Sequence, residues 1–289
     1  MLDKGSDNAR AFHLAGVVPV AGPKLNFGFP WHDCLQPIAE NYLAVERAVV
    51  ECAYAGCETI WVVCNDDMQP LIRHRLGDYI EDPYHLSKAN FVKFPSDHRR
   101  QIPIFYVPIH PKDRDRRDSL AWSALHGALT AFIISDKLSK WLIPSRYYVS
   151  FPYGVYPPWE VKKHRKRISS SSPFYLATHG RTVADGEYLG FTFNAEEYKE
   201  YVRDVRESCS GGNKENKPQE RWSSRFFGLD KVFRSAKINK ESTFEIPWYY
   251  KVDTWQGLKN YLSSDNSNEI NRPSETMFKN LSYKMKWRQ

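Results

Sequence analysis

The chain has 289 residues, of which 42% are hydrophobic and 15% aromatic, so it can bury a substantial core as one large α/β domain or a nucleotide-binding domain with an appended piece. A mean hydropathy of -0.59 and the lack of any apolar run long enough to span a bilayer argue against a membrane protein. A formal charge of +7 leaves anionic partners open, nucleic acid among them, because clustered basic residues bind phosphates by displacing counterions.

That charge is concentrated in two places. Arg99, Arg100, Lys112, Arg114, Arg116 and Arg117 form one cluster, and Lys162, Lys163, His164, Arg165, Lys166 and Arg167 the other. The second runs into Ser169–Ser172 and reads as a mobile loop, since charge-dense and Ser-rich segments rarely pack. Residues 1–10 are polar and carry Asp3 and Asp7, without the basic-then-apolar layout of a secretory signal. Cys34, Cys52, Cys57, Cys64 and Cys209 form no Cys-x-x-Cys pair and read as small buried hydrophobes. A reducing cytoplasm is the expected compartment.

In chain order, 12–22 (FHLAGVVPVAG) is apolar, β-branched and closed by Gly-Pro, which predicts a buried first strand entering a loop. After an aromatic stretch at 23–37, Tyr42, Val45, Ala48, Val49, Cys52 and Ala53 recur at helical spacing and stop at Gly56. A second strand, 58–64, ends at Asn65-Asp66-Asp67, and a helix is expected over 68–79. Strands at 91–94 and 102–109, a helix at 119–135 and a strand at 147–151 follow. Beyond them come strands at 173–178 and 188–193, a helix at 195–207, a hydrophilic linker at 208–220, a short helix at 229–235, a strand at 249–252 and a helix at 255–262. Alternating strands and helices with short connections predict an α/β fold with a mostly parallel central sheet flanked by helices.

In such a sheet, ligands bind beyond the carboxyl ends of the strands, so the loops there carry the candidate residues. The loop after the first strand offers Gly22, Lys24 and Gly28, two glycines that allow close backbone approach to a phosphate and a lysine that supplies charge. Asp66-Asp67 suits either a divalent cation or the cap of the following helix. His32, His110 and His126 are the histidines nearest a strand end, and lone histidines of this kind are more often structural than catalytic. No Gly-x-Ser-x-Gly elbow, Walker loop or zinc pattern is present.

Residues 34–67 resemble the first unit of the sugar-1-phosphate nucleotidyltransferase superfamily, whose members follow a glycine-rich loop with Leu-x-Pro-Val/Ile, a helix ending in Ala-Gly and an Ile-x-Val-Val strand. Leu35-Gln36-Pro37-Ile38, Ala55-Gly56 and Ile60-Trp61-Val62-Val63 stand in those places and in that order. Residues 117–131 sit where the family has the helix that closes over base and sugar, and 246–262 (IPWYYKVDTWQGLKNYL) look like its closing Tyr-x-Val/Ile-Asp-Thr segment. The overall style is also similar to relatives encoded by tailed phages, for which the compartment would be the host cytoplasm.

The resemblance implies a nucleotide-diphospho-sugar transferase-like domain over 11–262, with the linker inside it and a polar C-terminal tail at 263–289. It implies transfer of a nucleoside monophosphate from a nucleoside triphosphate to a phosphorylated sugar or similar small acceptor, with Mg2+ as cofactor. By position, Gly22, Lys24 and Gly28 would form the phosphate loop, with Lys24 catalytic. Asn65, Asp66 and Ser119 would border the nucleotide, and Asp253 would be the catalytic metal ligand. Asp253 also reads as the N-cap of the helix that follows it.

Three departures qualify the match. Gly22-Pro23-Lys24-Leu25-Asn26 replaces the Gly-x-Gly-Thr-Arg loop, Trp31-His32-Asp33 stands where a lysine precedes Leu-x-Pro, and Phe151-Pro152-Tyr153-Gly154 lacks the aspartate that should end the mid-chain strand. Asp33 or Asp118 would have to stand in for that aspartate. Two other readings follow: an inactive relative that binds or builds, and a glycosyltransferase using a nucleotide sugar, for which Asp113-Arg114-Asp115 would serve as the Asp-x-Asp motif.

Overall fold

The computed structural model describes residues 12–22, 29, 31–84, 101–109, 119–210, 228–273 and 278–279. Its strands are β1 (Leu14–Pro19), β2 (Pro37–Ala39), β3 (Tyr42–Leu43), β4 (Thr59–Cys64), β5 (Tyr79–Glu81), β6 (Gln101–Pro108), β7 (Arg146–Val149), β8 (Gly154–Val155), β9 (Tyr175–Ala177), β10 (Phe191–Phe193), β11 (Thr243–Glu245), β12 (Tyr250–Lys251) and β13 (Phe278–Lys279). The helices are α1 (Ala44–Ala55), α2 (Gln69–Leu76), α3 (Leu120–Leu138), α4 (Glu160–Lys163), α5 (Arg165–Ile168), α6 (Ala195–Ser210), α7 (Leu229–Val232) and α8 (Trp255–Leu262).

Among the described residues nine strands form one sheet in the order β11-β9-β10-β7-β1-β4-β6-β5-β13. Its centre, β7-β1-β4-β6, is parallel throughout. β10 and β9 continue it antiparallel beyond β7, while β5 and β13 do so beyond β6. The chain steps from β1 through β4 to β6 in one direction and then returns to place β7 on the other side of β1. The strand order therefore reverses between β1 and β7, and the crevice of an open α/β sheet opens at that point.

Burial accounts for the strand sequences. Every residue of β1 is buried, and so are Ile60–Cys64 of β4, because helices cover both faces. The predicted first strand is longer than the observed one because the Val20 and Ala21 amides both turn to the Val63 carbonyl, at 2.9 Å each, and leave the ladder. α1 ends where its pattern stops: Gly56 takes a φ of 92°, a conformation that costs a side chain, and its amide bonds back to Ala53. Tyr42 pairs in the β2–β3 hairpin instead of opening the helix, and Tyr79 lies in β5 instead of closing α2. α6 continues to Ser210, three residues into the segment read as linker, and Phe278–Lys279 of the polar tail adds the edge strand beside β5. The strand expected at 91–94 lies outside the described residues.

The second basic cluster is not a loop. It folds into α4 and α5, with Val161 and Ile168 buried, and Arg165 donates to both carboxylate oxygens of the buried Asp82 and to the Ala53 carbonyl at the end of α1. Composition favoured solvation; a buried acidic partner 83 positions away decides otherwise. Among the described residues no helix is long and apolar enough to cross a membrane.

Candidate functional site at the strand-order reversal

The loop leaving β1 is pinned to the start of α3. The Ser123 hydroxyl donates to the Ala21 carbonyl, and a Cβ on Gly22 would stand 3.2 Å from Leu120 Cδ2 and 3.3 Å from its amide nitrogen. Ser119 is fully buried and caps α3, its hydroxyl accepting from the Trp122 amide at 3.1 Å. The N-terminus of a 19-residue helix, with its partial positive charge, thus faces the exit of β1. Lys24 and Gly28 lie outside the described residues, as do His110, Asp113, Arg114, Asp115 and Asp118.

At the end of β4, the Asn65 carbonyl accepts from the Met68 and Gln69 amides at 3.0 Å each, so backbone and not an aspartate turns the chain into α2. The N-cap of α2 is Met68, without a side-chain bond, which corrects the reading of Asp66-Asp67 as its cap. Both aspartates are exposed; burial first, and then their charges, push the Cys64 thiol up to about 12.

The late segment reaches the same edge of the sheet through β12, which pairs antiparallel with β8 so that Lys251 stands opposite Gly154. The Val252 amide donates to the Tyr153 carbonyl at 2.9 Å, and Gln36 Nε2 donates to the Val252 carbonyl at 3.1 Å. Asp253 follows directly. It is not the helix cap: Thr254 caps α8, its hydroxyl accepting from the Gly257 amide at 3.1 Å. The Asp253 carboxylate lies 3.6 Å from Lys251 Nζ and neighbours Tyr188, whose hydroxyl is held neutral by burial and then by that carboxylate. Lys251 Nζ sits 5.0 Å over the Tyr188 ring and donates to the Gly186 carbonyl.

Tyr153 joins this group to a second carboxylate. Its hydroxyl is raised by burial first and then by Cys34, Asp33 and Tyr188, so the buried Asp33 shares a neighbourhood with the Tyr188–Asp253 pair. His32 caps the short helical turn Asp33–Leu35, its Nδ1 accepting from the Cys34 amide at 3.3 Å, and His126 Nε2 lies 3.2 Å from the Pro108 carbonyl. Both histidines thus have structural partners.

Where the mid-chain aspartate is missing, the strand end is tied inward. The Ser150 hydroxyl donates to Glu51 at 2.8 Å and the Arg47 guanidinium donates to the Phe151 carbonyl at 2.6 Å. Arg47 and Glu51 escape a reading based on apolar periodicity; their signal is an opposite-charge pair four residues apart on a helix that is otherwise apolar on nearly every side.

Among the described residues no three His, Cys, Asp or Glu side chains converge as a metal cage. Magnesium held against a triphosphate needs only one or two protein carboxylates, the remaining ligands being phosphate oxygens and water, and Asp253 suits that donor set.

No family model matches the chain, and no curated protein matches its sequence. Among solved structures it is similar to one described as a glucose-1-phosphate thymidylyltransferase from Bacillus anthracis in complex with sucrose, with a TM-score of 0.52 and 10% identity over 91% of this chain and 98% of that one. It is also similar to a UDP-glucose pyrophosphorylase complexed with UDP-glucose, with a TM-score of 0.50 and 12% identity over 89% of this chain and 98% of that one. With its parallel centre, its strand-order reversal and these likenesses, the chain has the fold of the sugar-1-phosphate nucleotidyltransferases.

Proposed function

We propose that the protein is a nucleotidyltransferase that moves a nucleoside monophosphate from a nucleoside triphosphate onto a phosphorylated sugar or similar small acceptor. The observation that carries this reading is the β8–β12 pairing, which ties the strand before Asp253 to the segment that leaves β7, so that Asp253 would stand at the crevice between β1 and β7 with Asp33 and Tyr153. The acceptor phosphate attacks the α-phosphorus in line and pyrophosphate leaves, so the protein's task is positioning and charge neutralisation. The β1 loop, with Gly22, Lys24 and Gly28, would cradle the triphosphate against the positive end of α3. Ser119 would contribute to nucleotide binding through the helix start that it caps, and Asn65 and Asp66 would border the nucleoside. Asp253 would hold Mg2+, which when bound neutralises phosphate charge, while Tyr188 and Lys251 orient the Asp253 carboxylate.

A second reading, an inactive relative that binds nucleotide without turnover, is favoured by the Ser150-Phe151 strand end, whose polar groups are committed to Glu51 and Arg47. Pyrophosphate release from each nucleoside triphosphate, measured with Mg2+ and a panel of sugar 1-phosphates, separates the two. Acceptor-dependent release supports the transferase; nucleotide binding without release supports the inactive relative.

A further inference from the structure

α3 meets the central sheet with small side chains and turns large ones away from it. From its middle onward the residues it buries are Gly127, Ala128, Ala131 and Ser135. The approach is close: a Cβ on Gly127 would stand 2.6 Å from Val63 Cγ2 on β4 and 2.7 Å from Val17 Cγ1 on β1. Leu129, Phe132, Ile133 and Ile134 of the same turns are 37–41% exposed, Leu138 at the helix end 70%, and Leu142 just beyond it 44%. These six are more than half of the large apolar side chains exposed among the described residues.

A surface helix that serves only its own core does the reverse, with large apolar residues inward and polar ones in water, and a contiguous apolar face left outside marks an interaction site. We infer that this face of α3 joins a second copy of the chain about a twofold axis. Two observations select a second copy. Counted over both copies, the six side chains offer on the order of 1,000 Å² of apolar surface, the size at which a specific interface begins. The face also carries both signs of charge within little more than a turn, in the exposed Asp136, Lys137 and Lys140. A closed twofold contact presents the same patch from each side, so in an antiparallel helix pair the acid of one copy meets the bases of the other. Leu129, where the face begins, lies about 15 Å along the helix from Ser119, so the contact stands away from the helix end at the exit of β1. The inference is therefore independent of the reaction proposed for the crevice.

The test is sedimentation velocity on the full chain across a concentration series reaching about 100 μM. Wild type is compared with Ile133→Asp, with Asp136→Lys, and with a variant carrying both Lys137→Glu and Lys140→Glu. All four positions are exposed, so thermal melts should show each variant folded. The expected result is a wild-type mass of twice 33.7 kDa and a monomer in Ile133→Asp. Each charge variant alone leaves a single sign on the face and should associate about tenfold more weakly. An equal mixture of the two should recover the dimer, because one copy is then basic and the other acidic, and recovery also requires both to be folded. A dimer that Ile133→Asp retains overturns the inference, and so does a monomeric wild type. Wild-type monomer that binds vesicles of phosphatidylcholine and phosphatidylglycerol, with binding lost in Ile133→Asp, would overturn it in favour of a membrane surface.

Discussion

Arg47 and Glu51 lie one turn apart on α1, both fully shut off from solvent, and their charged groups meet at 2.7 Å. The pair ties the central sheet together. Glu51 accepts from Tyr148 and Tyr156 at 2.6 Å each and from Ser150, while Arg47 holds the Phe151 carbonyl and lies over the Tyr156 ring. A buried ion pair is tolerable only when most of its remaining donors and acceptors are satisfied, and here β7 and the segment leaving it supply partners for all but the Arg47 Nε.

Breaking the pair on one side is therefore predicted to be severe. Glu51→Leu leaves the Arg47 charge unpaired and takes the acceptor from three hydroxyls, costing about 3–5 kcal/mol in urea unfolding. Tyr148→Phe removes one hydrogen bond to a charged acceptor and should cost about 2 kcal/mol. Equal losses in the two variants would contradict a network centred on Glu51.

The α4–α5 segment is predicted to depend on Arg165. Its guanidinium neutralises Asp82, which has no solvent contact, and Arg165→Ala should cost about 2 kcal/mol while speeding amide exchange across 160–168. Gly56→Ala should cost about 1 kcal/mol or more, because φ is positive there and the new Cβ would meet the Arg165 side chain at 2.9 Å. Unchanged exchange in Arg165→Ala would show the segment to be held by other contacts.

Much of this fold is legible in the sequence, and the failures have physical causes. The β-branched runs give β1 and β4, and the spacing gives α8 with the observed bounds, 255–262, although its cap is Thr254 and not the Asp253 read there. β5 and β13, of three and two residues, are too short to show a period, and β5 exists because the longer β6 pairs with it. Arg165 misleads because its partner is remote. At the site, Asp253 is read from a motif, whereas its company with Asp33, Tyr153 and Tyr188 arises from β8–β12 pairing, which no local pattern announces.

Stability is predicted to fall on the alkaline side. Burial keeps the Cys34 and Cys52 thiols and the Tyr148 and Tyr156 hydroxyls well above their ordinary values of 9.0 and 10.0, and lifts Cys64 to about 12. The unfolded chain ionises at the ordinary values and the folded chain does not. The contribution is thus whole below about pH 9 and shrinks as pH rises toward about 12. Melting temperatures taken from about pH 8 to about pH 11 check this, and a flat profile would contradict it. Because all four are buried, Cys34, Cys52, Cys57 and Cys64 should resist a thiol reagent until the protein unfolds.

Gly154 is predicted to control the placement of Asp253. A Cβ there would fall 2.0 Å from the Tyr188 carbonyl oxygen, so Gly154→Ala must push β8 away from Tyr188 or from β12. The expected outcome is a stability loss of about 1–3 kcal/mol together with weakened Mg2+-dependent nucleotide binding. Loss of stability with binding intact would separate the β8–β12 pairing from the site.

The most direct test of the account is a calorimetric titration of the wild-type chain with each nucleoside triphosphate, with and without Mg2+, repeated on Lys24→Ala and Asp253→Asn. The expected result is saturable binding to at least one nucleotide, weakened about tenfold or more in Lys24→Ala, and Mg2+-dependent in the wild type but not in Asp253→Asn. Absence of binding to every nucleotide, or Mg2+-dependent binding that Asp253→Asn leaves unchanged, would contradict it.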